Sequence, residues 1–130
     1  MKVLISTVAG VFSVDLETDD VEPWDGDVDL VAAPILNLPR VLAAAAAGAT
    51  VVAVVDAKPP LLVSYDTGST WRESGRGLPA GRAVAISGDD PDLIVYAARN
   101  RLFLSRNGGV FWSSLAVELP EIVAVGFPGS

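Results

Sequence analysis

The sequence predicts an all-β repeat domain built from short four-stranded antiparallel units, and three observations carry that prediction. An eight-residue phrase, Ser64-Tyr65-Asp66-Thr67-Gly68-Ser69-Thr70-Trp71, returns 41 residues later in degraded form as Ser105-Arg106-Asn107-Gly108-Gly109-Val110-Phe111-Trp112. A Leu-Pro dipeptide recurs at Leu38-Pro39, Leu78-Pro79 and Leu119-Pro120, at spacings of 40 and 41 residues. The apolar runs between these markers are short, rich in β-branched residues and bounded by Gly, Pro, Asp or Asn, as strands are. Self-similarity at such a period marks a repeat architecture.

The markers place the elements in order. After each Leu-Pro comes a first strand: Val41 to Ala47, Ala83 to Ser87, and Ile122 to Phe127. Thr50 to Val55 and Leu93 to Ala97 follow as second strands, Leu61 to Ser64 and Arg101 to Ser105 as third strands, and fourth strands begin at Trp71 and Trp112. The run Ala43 to Ala47 has helical propensity. Only eight residues separate Pro39 from Gly48, however, and the repeat register puts a first strand there. Val11-Phe12-Ser13-Val14-Asp15 aligns with Phe103-Leu104-Ser105-Arg106-Asn107, so Val3 to Ser6 is a second strand with no room for a first one before it. Twelve strands result, in the permuted order three, four, four, one, with repeats at 1–37, 38–77 and 78–118 and a closing strand in 119–130.

Leu38 follows Trp24 by fourteen residues, whereas Leu78 and Leu119 follow their tryptophans by seven. The first repeat therefore carries an insertion, which holds Asp25, Asp27 and Asp29. Alternating carboxylates open a calcium loop, but the glycine and distal bidentate glutamate of an EF-hand are missing, so a solvated loop without metal is expected.

The repeated phrase reads as a hairpin staple. Asp66 is placed to accept hydrogen bonds from the turn amides, Gly68 to supply a positive φ, and Trp71 to lay its ring over the adjoining unit. Asn107 and Gly108-Gly109 keep the acceptor and the turn in the second copy, while Val110-Phe111 replace the Ser-Thr pair. The phrase resembles the Asp-box, S-x-D-x-G-x-T-W, carried by β-propellers of the sialidase, sortilin-type receptor and bacterial surface-repeat kinds. That resemblance implies that each unit is a propeller blade. It also gives Ser64, Asp66, Gly68, Thr70 and Trp71, with Ser105, Asn107, Gly109 and Trp112, a structural rather than a catalytic role. Propellers typically have four to eight blades, so three per chain are too few for a ring and two chains give six. A homodimer is expected, with residues 122–127 of each chain exchanged to complete the partner's N-terminal blade.

Composition narrows the function. The chain has 130 residues, 51% of them apolar, no cysteine and no histidine, which removes disulfides, thiolate chemistry and the commonest general base. A net charge of −7 argues against nucleic acid and anionic membrane as partners. No apolar run reaches a membrane span, and Met1 to Val14 is interrupted by Ser6, Thr7, Gly10 and Ser13, unlike a signal peptide. A soluble, cytoplasmic domain without cofactor is expected. The sialidase resemblance implies hydrolysis by a tyrosine nucleophile, but neither Tyr65 nor Tyr96 is placed for it, and only Asp56, Glu118 and Glu121 fall near the loops of an axial site. No catalytic residue is assigned.

A propeller's loops alternate between its two ends. Arg40, Lys58, Arg76, Arg82, Arg99 and Arg101 fall at one end, and Asp15, Asp19, Asp20, Asp66, Asp89, Asp90 and Asp92 at the other. Arg40, Lys58, Arg82, Arg99 and Arg101 are thus candidate ligands for a small anion, a carbohydrate or an acidic peptide, bound by a scaffold without catalysis. The alternatives are a sialidase-like glycoside hydrolase and a purely structural interaction module.

Overall fold

The computed structural model describes residues 1–26, 34, 36 and 38–128. Their twelve strands form three four-stranded antiparallel sheets, and no helix occurs among them. Blade I contains β1 (Lys2–Thr7), β2 (Gly10–Asp15) and β3 (Val21–Pro23), with β12 (Ile122–Gly126) on the open side of β1. Blade II is β4 (Val41–Ala47), β5 (Thr50–Val55), β6 (Leu61–Ser64) and β7 (Arg72–Ser74). Blade III is β8 (Ala83–Ile86), β9 (Ile94–Ala98), β10 (Arg101–Ser105) and β11 (Ser113–Ser114). The permuted order read from the sequence is the observed one, and the alanine run is strand.

Blade III sits between the other two, and its strand alternation shows why. Side chains of successive residues point to opposite faces of a sheet. Val84, Ile86, Ile94, Tyr96, Ala98 and Phe103 pack with Val52, Val54, Leu61 and Val63 of blade II. Their neighbours Ala83, Ala85, Val95, Ala97, Leu102 and Leu104 pack with Val3, Ile5, Val14, Ile122 and Val125 of blade I. The inner strands β4 and β12 both lie against β8, so the blades form an arc in the order II, III, I.

Within this single chain, β12 pairs with the chain's own β1, Leu4 opposite Gly126 and Ser6 opposite Ala124, rather than with a partner's. The connection between the two end blades is the one with the insertion. Trp24 follows β3, and its N–H donates to the Val11 carbonyl at 2.9 Å. Asp27 and Asp29 lie outside the described residues, and Asp25 is exposed.

The two tryptophans of the repeated phrase part ways. Trp112 is half-buried against the II–III core, meets Tyr96 edge-on at 6.2 Å between centroids, and donates its indole N–H to Ser74 Oγ of blade II at 3.0 Å. Trp71, expected to cover a neighbouring blade, lies over its own turn as Trp112 does, its Cζ2 3.5 Å from where a Cβ on Gly68 would stand against 3.8 Å for Trp112 and Gly109, but it joins neither inter-blade core among the described residues. Trp112 has blade II behind it, whereas no core cluster among the described residues packs another blade behind Trp71. Trp112→Ala is therefore expected to cost about 3 kcal/mol, at the low end for a large core truncation, and Trp71→Ala clearly less in the isolated chain. Urea denaturation of both variants measures the difference.

Candidate functional site

The turn end of the arc is held by its own polar groups. Asp66 Oδ1 accepts from the Thr70 N–H at 2.8 Å and the Ser64 hydroxyl at 2.7 Å, and Oδ2 accepts from the Thr70 hydroxyl at 2.6 Å. Ser64 Oγ in turn accepts from the Gly68 N–H at 2.8 Å. The second copy repeats the pattern more sparsely: Asn107 Oδ1 accepts from the Phe111 N–H at 2.9 Å and the Ser105 hydroxyl at 3.0 Å, and Ser105 Oγ from the Gly109 N–H at 2.8 Å. Asp15, the counterpart in blade I, accepts from the Glu17 N–H at 2.9 Å. Gly68 and Gly109 take φ of 90° and 91°, a region that costs a side chain strain, and Thr67 tolerates φ of 61° beside the first.

These turns also join blades. The residue between the serine and the acceptor reaches forward: the Tyr65 hydroxyl donates to the Gly108 carbonyl at 2.6 Å, and Arg106 Nη2 donates to the Leu16 carbonyl at 3.2 Å. Gly108 follows Asn107 as Leu16 follows Asp15, so the two clasps are the same contact one blade apart. The sequence reading assigned no role to Tyr65 or Arg106, because only a three-dimensional neighbour reveals their acceptors.

The cations gather at the other end, where Asp56 N–H donates to the Arg40 carbonyl at 3.0 Å and Ile122 N–H to the Arg99 carbonyl at 2.7 Å. They fall into two pairs at matching positions. Arg40 and Arg82 immediately precede the inner strands β4 and β8, while Lys58 and Arg99 lie in the β5–β6 and β9–β10 loops. Arg82 and Arg99 share a shallow cleft of about 250 Å³ with Glu121. Arg40 and Lys58 share one of about 470 Å³, with Val55, Pro59 and Leu62 beneath and the Glu73 carboxylate beside them. All four side chains are exposed, and none has an ion-pair partner among the described residues. Arg40 and Arg99 hold φ of 60° and 57°, left-handed values that a side chain rarely adopts.

Arg101 opens β10 but lines neither cleft, and Arg76 is drawn into an exposed pair with Glu73 at 3.7 Å. Gly81 is needed for the Arg82 approach: a Cβ there would meet the Tyr96 hydroxyl and the Ala97 carbonyl oxygen.

Neither tyrosine is open for chemistry. Tyr96 is fully buried and donates its hydroxyl to the Pro79 carbonyl at 2.8 Å, and burial pushes its ionisation up to about 12. Tyr65 has given its hydroxyl to the clasp. Asp56, Glu118 and Glu121 are exposed, and no group of three acidic residues able to hold a metal occurs among the described residues. A further groove of about 470 Å³ runs along the II–III junction beside Tyr65, Ser74, Phe111 and Trp112.

No family model matches the chain, and no curated protein matches it. Among solved structures, it is similar to the GH74 enzyme of Niastella koreensis, with a TM-score of 0.51 and 22% identity over 91% of this chain. That neighbour is a β-propeller enzyme. The likeness establishes the all-β propeller-type fold alone, and the chain spans 18% of that enzyme's length. No helix among the described residues is long and apolar enough to cross a membrane.

Hydrogen bonds from Thr70 and Ser64 hold the Asp66 carboxylate at about 2, below its ordinary 3.8. A depressed carboxylate contributes stability that is present above its unfolded value and lost as pH falls through the folded one. The melting temperature of wild type relative to Asp66→Asn should hold constant from pH 7 to 5, shrink between pH 4 and 2, and vanish below. A difference that stays flat across the acid range would show that the carboxylate's charge does no work in the turn.

Proposed function

We propose that the protein is a non-catalytic scaffold of the Asp-box β-propeller kind, which binds a small anion at the basic end of its blades. The observation that carries this reading is the pairing of Arg82 with Arg99 and of Arg40 with Lys58, at matching positions of adjacent blades and without ion-pair partners among the described residues. Exposed guanidinium forks without carboxylate partners suit a carboxylate, sulfate or phosphate group, including one on an acidic peptide or a charged carbohydrate. The opposite end supports the same polarity, since Asp15, Asp66 and Asp90 are engaged as turn acceptors there. Backbone strain at Arg40 and Arg99 is a further support, because strained positions gather at functional sites.

A hydrolytic role has less behind it. The tyrosines are engaged elsewhere, and a retaining mechanism needs two carboxylates about 5 Å apart flanking the bond. A generic aryl glycoside should release no chromophore above the buffer rate.

Calorimetric titration with sulfate and citrate tests the anion site. Binding should weaken steeply with added chloride, and Arg82→Ser should reduce affinity about tenfold or more, the scale of a lost charge-assisted hydrogen bond. Arg99→Gly should separate function from stability. It removes a left-handed cost of about 1 kcal/mol, so the variant should melt no lower than wild type while binding the anion more weakly. Unchanged affinity in both variants would dismiss the basic clefts as a site.

A further inference from the structure

Resting on the anion reading of the basic end, we propose that the cleft between Arg40 and Lys58 takes a small organic monocarboxylate with an apolar body, whereas the Arg82–Arg99 cleft suits only small polar anions. The loop that carries Lys58 is peculiar to blade II. β1 joins β2 through Val8 and Ala9, and β9 joins β10 through Arg99 and Asn100, the short connection that hairpins favour. β5 joins β6 through five residues, 56–60. The hairpin itself does not need that length, and Ala57, Lys58 and Pro59 of the added chain all line the cleft.

The loop is held in place before any ligand arrives. Pro59 and Pro60 fix two of its backbone angles. The Val55 N–H donates to the Pro60 carbonyl at 2.8 Å, and the Asp56 N–H donates to the Arg40 carbonyl at 3.0 Å. The second bond ties the loop to the residue that supplies the other cation. A preorganised site of this kind loses less freedom on binding.

The two clefts differ in lining. Ala80, Gly81 and Glu121 accompany Arg82 and Arg99, with no large apolar side chain among them. Val55, Pro59 and Leu62 lie beneath Arg40 and Lys58, in a cleft of about 470 Å³. Small-molecule sites of roughly 300 to 1,000 Å³ combine an apolar lining with a few polar groups that fix orientation. Val55 and Leu62 alternate with Val54 and Leu61, which pack against blade III, and belong to neither inter-blade core among the described residues.

Charge sets the remaining limit. The Arg40 fork and the Lys58 ammonium together suit one carboxylate. Glu73 stands opposite Leu62 on the neighbouring strand and lines the same cleft. A second carboxylate on the ligand's body would meet that negative charge, so a monoanion is favoured over a dianion.

Calorimetric titration with acetate, butyrate, hexanoate and adipate tests the proposal. A fully buried methylene tightens binding about fourfold, so hexanoate in this open cleft should bind about tenfold tighter than acetate. Adipate, with the same number of carbons, should gain nothing over acetate, and Glu73→Gln should raise its affinity. Lys58→Gln should weaken hexanoate about fivefold or more. Leu62→Ser, which lies outside both inter-blade cores, should erase the chain-length gain with an unchanged circular dichroism spectrum. Should that variant unfold, the wild-type amide spectrum decides: hexanoate should shift Ala57, Lys58 and Leu62 beyond what acetate does, and a difference confined to Gly81 and Arg99 overturns the assignment. Hexanoate no tighter than acetate, or a gain that survives Leu62→Ser, overturns it too. Sulfate separates the two readings: sulfate binding without a chain-length gain dismisses the monocarboxylate cleft alone, whereas failure of sulfate and of every carboxylate dismisses the anion site itself.

Discussion

Everything in this fold depends on blade III being buried on both faces. A sheet solvated on one side alternates apolar and polar residues, whereas one packed on both sides has to be apolar at every position. β8 and β9 are buried throughout their length, and β10 from Leu102 onward. On β8 the alternate residues are sorted by size: Ala83 and Ala85 toward blade I, and Val84 and Ile86 toward blade II. β12 lies against the small side chains, and the larger ones share the II–III core with Trp112. The positions of both outer blades, and of every loop they carry, follow from that wedge.

Most of this architecture was legible in the sequence, because the repeat fixes strand number and register together. The phrase at Ser64 and its echo at Ser105 located eight strands, and the alignment of Ser13 with Ser105 recovered the permuted blade. What the repeat could not reveal was which copy of β1 takes β12, since both choices satisfy the same backbone hydrogen bonds. Nor could it distinguish Trp71 from Trp112, which are equal in sequence and differ in whether they join an inter-blade core among the described residues. The candidate site was legible in part. Loop alternation put the basic residues at one end, but the separation of Arg101 and Arg76 from the cleft-lining four depends on side-chain direction and on Glu73. The left-handed backbone at Arg40 and Arg99 had no sequence signal, because such turns usually announce themselves with glycine or asparagine.

The charge distribution follows from the work each end performs. At one end, aspartate side chains stand in for missing backbone partners and tie the turns. At the other, the loops close through backbone bonds such as Ile122 to Arg99, which frees their side chains from structural duty. A net-negative chain can thus present a cationic surface locally: Asp15, Asp66 and Asp90 are engaged in tying turns at one end, while Arg40, Arg82 and Arg99 at the other have no ion-pair partner among the described residues.

The forward clasp has a consequence for how such an arc comes to exist. Tyr65 and Arg106 are unlike in shape and charge, yet each donates to a main-chain carbonyl of the next blade. A carbonyl is present whatever residue bears it, so the acceptor survives any substitution that leaves the turn intact. The donor has to be only long and polar enough. A blade copied by gene duplication could therefore dock on its neighbour at once, before either surface had adapted, and the two copies were then free to diverge until little but the serine, the turn acceptor and the tryptophan remained common to both.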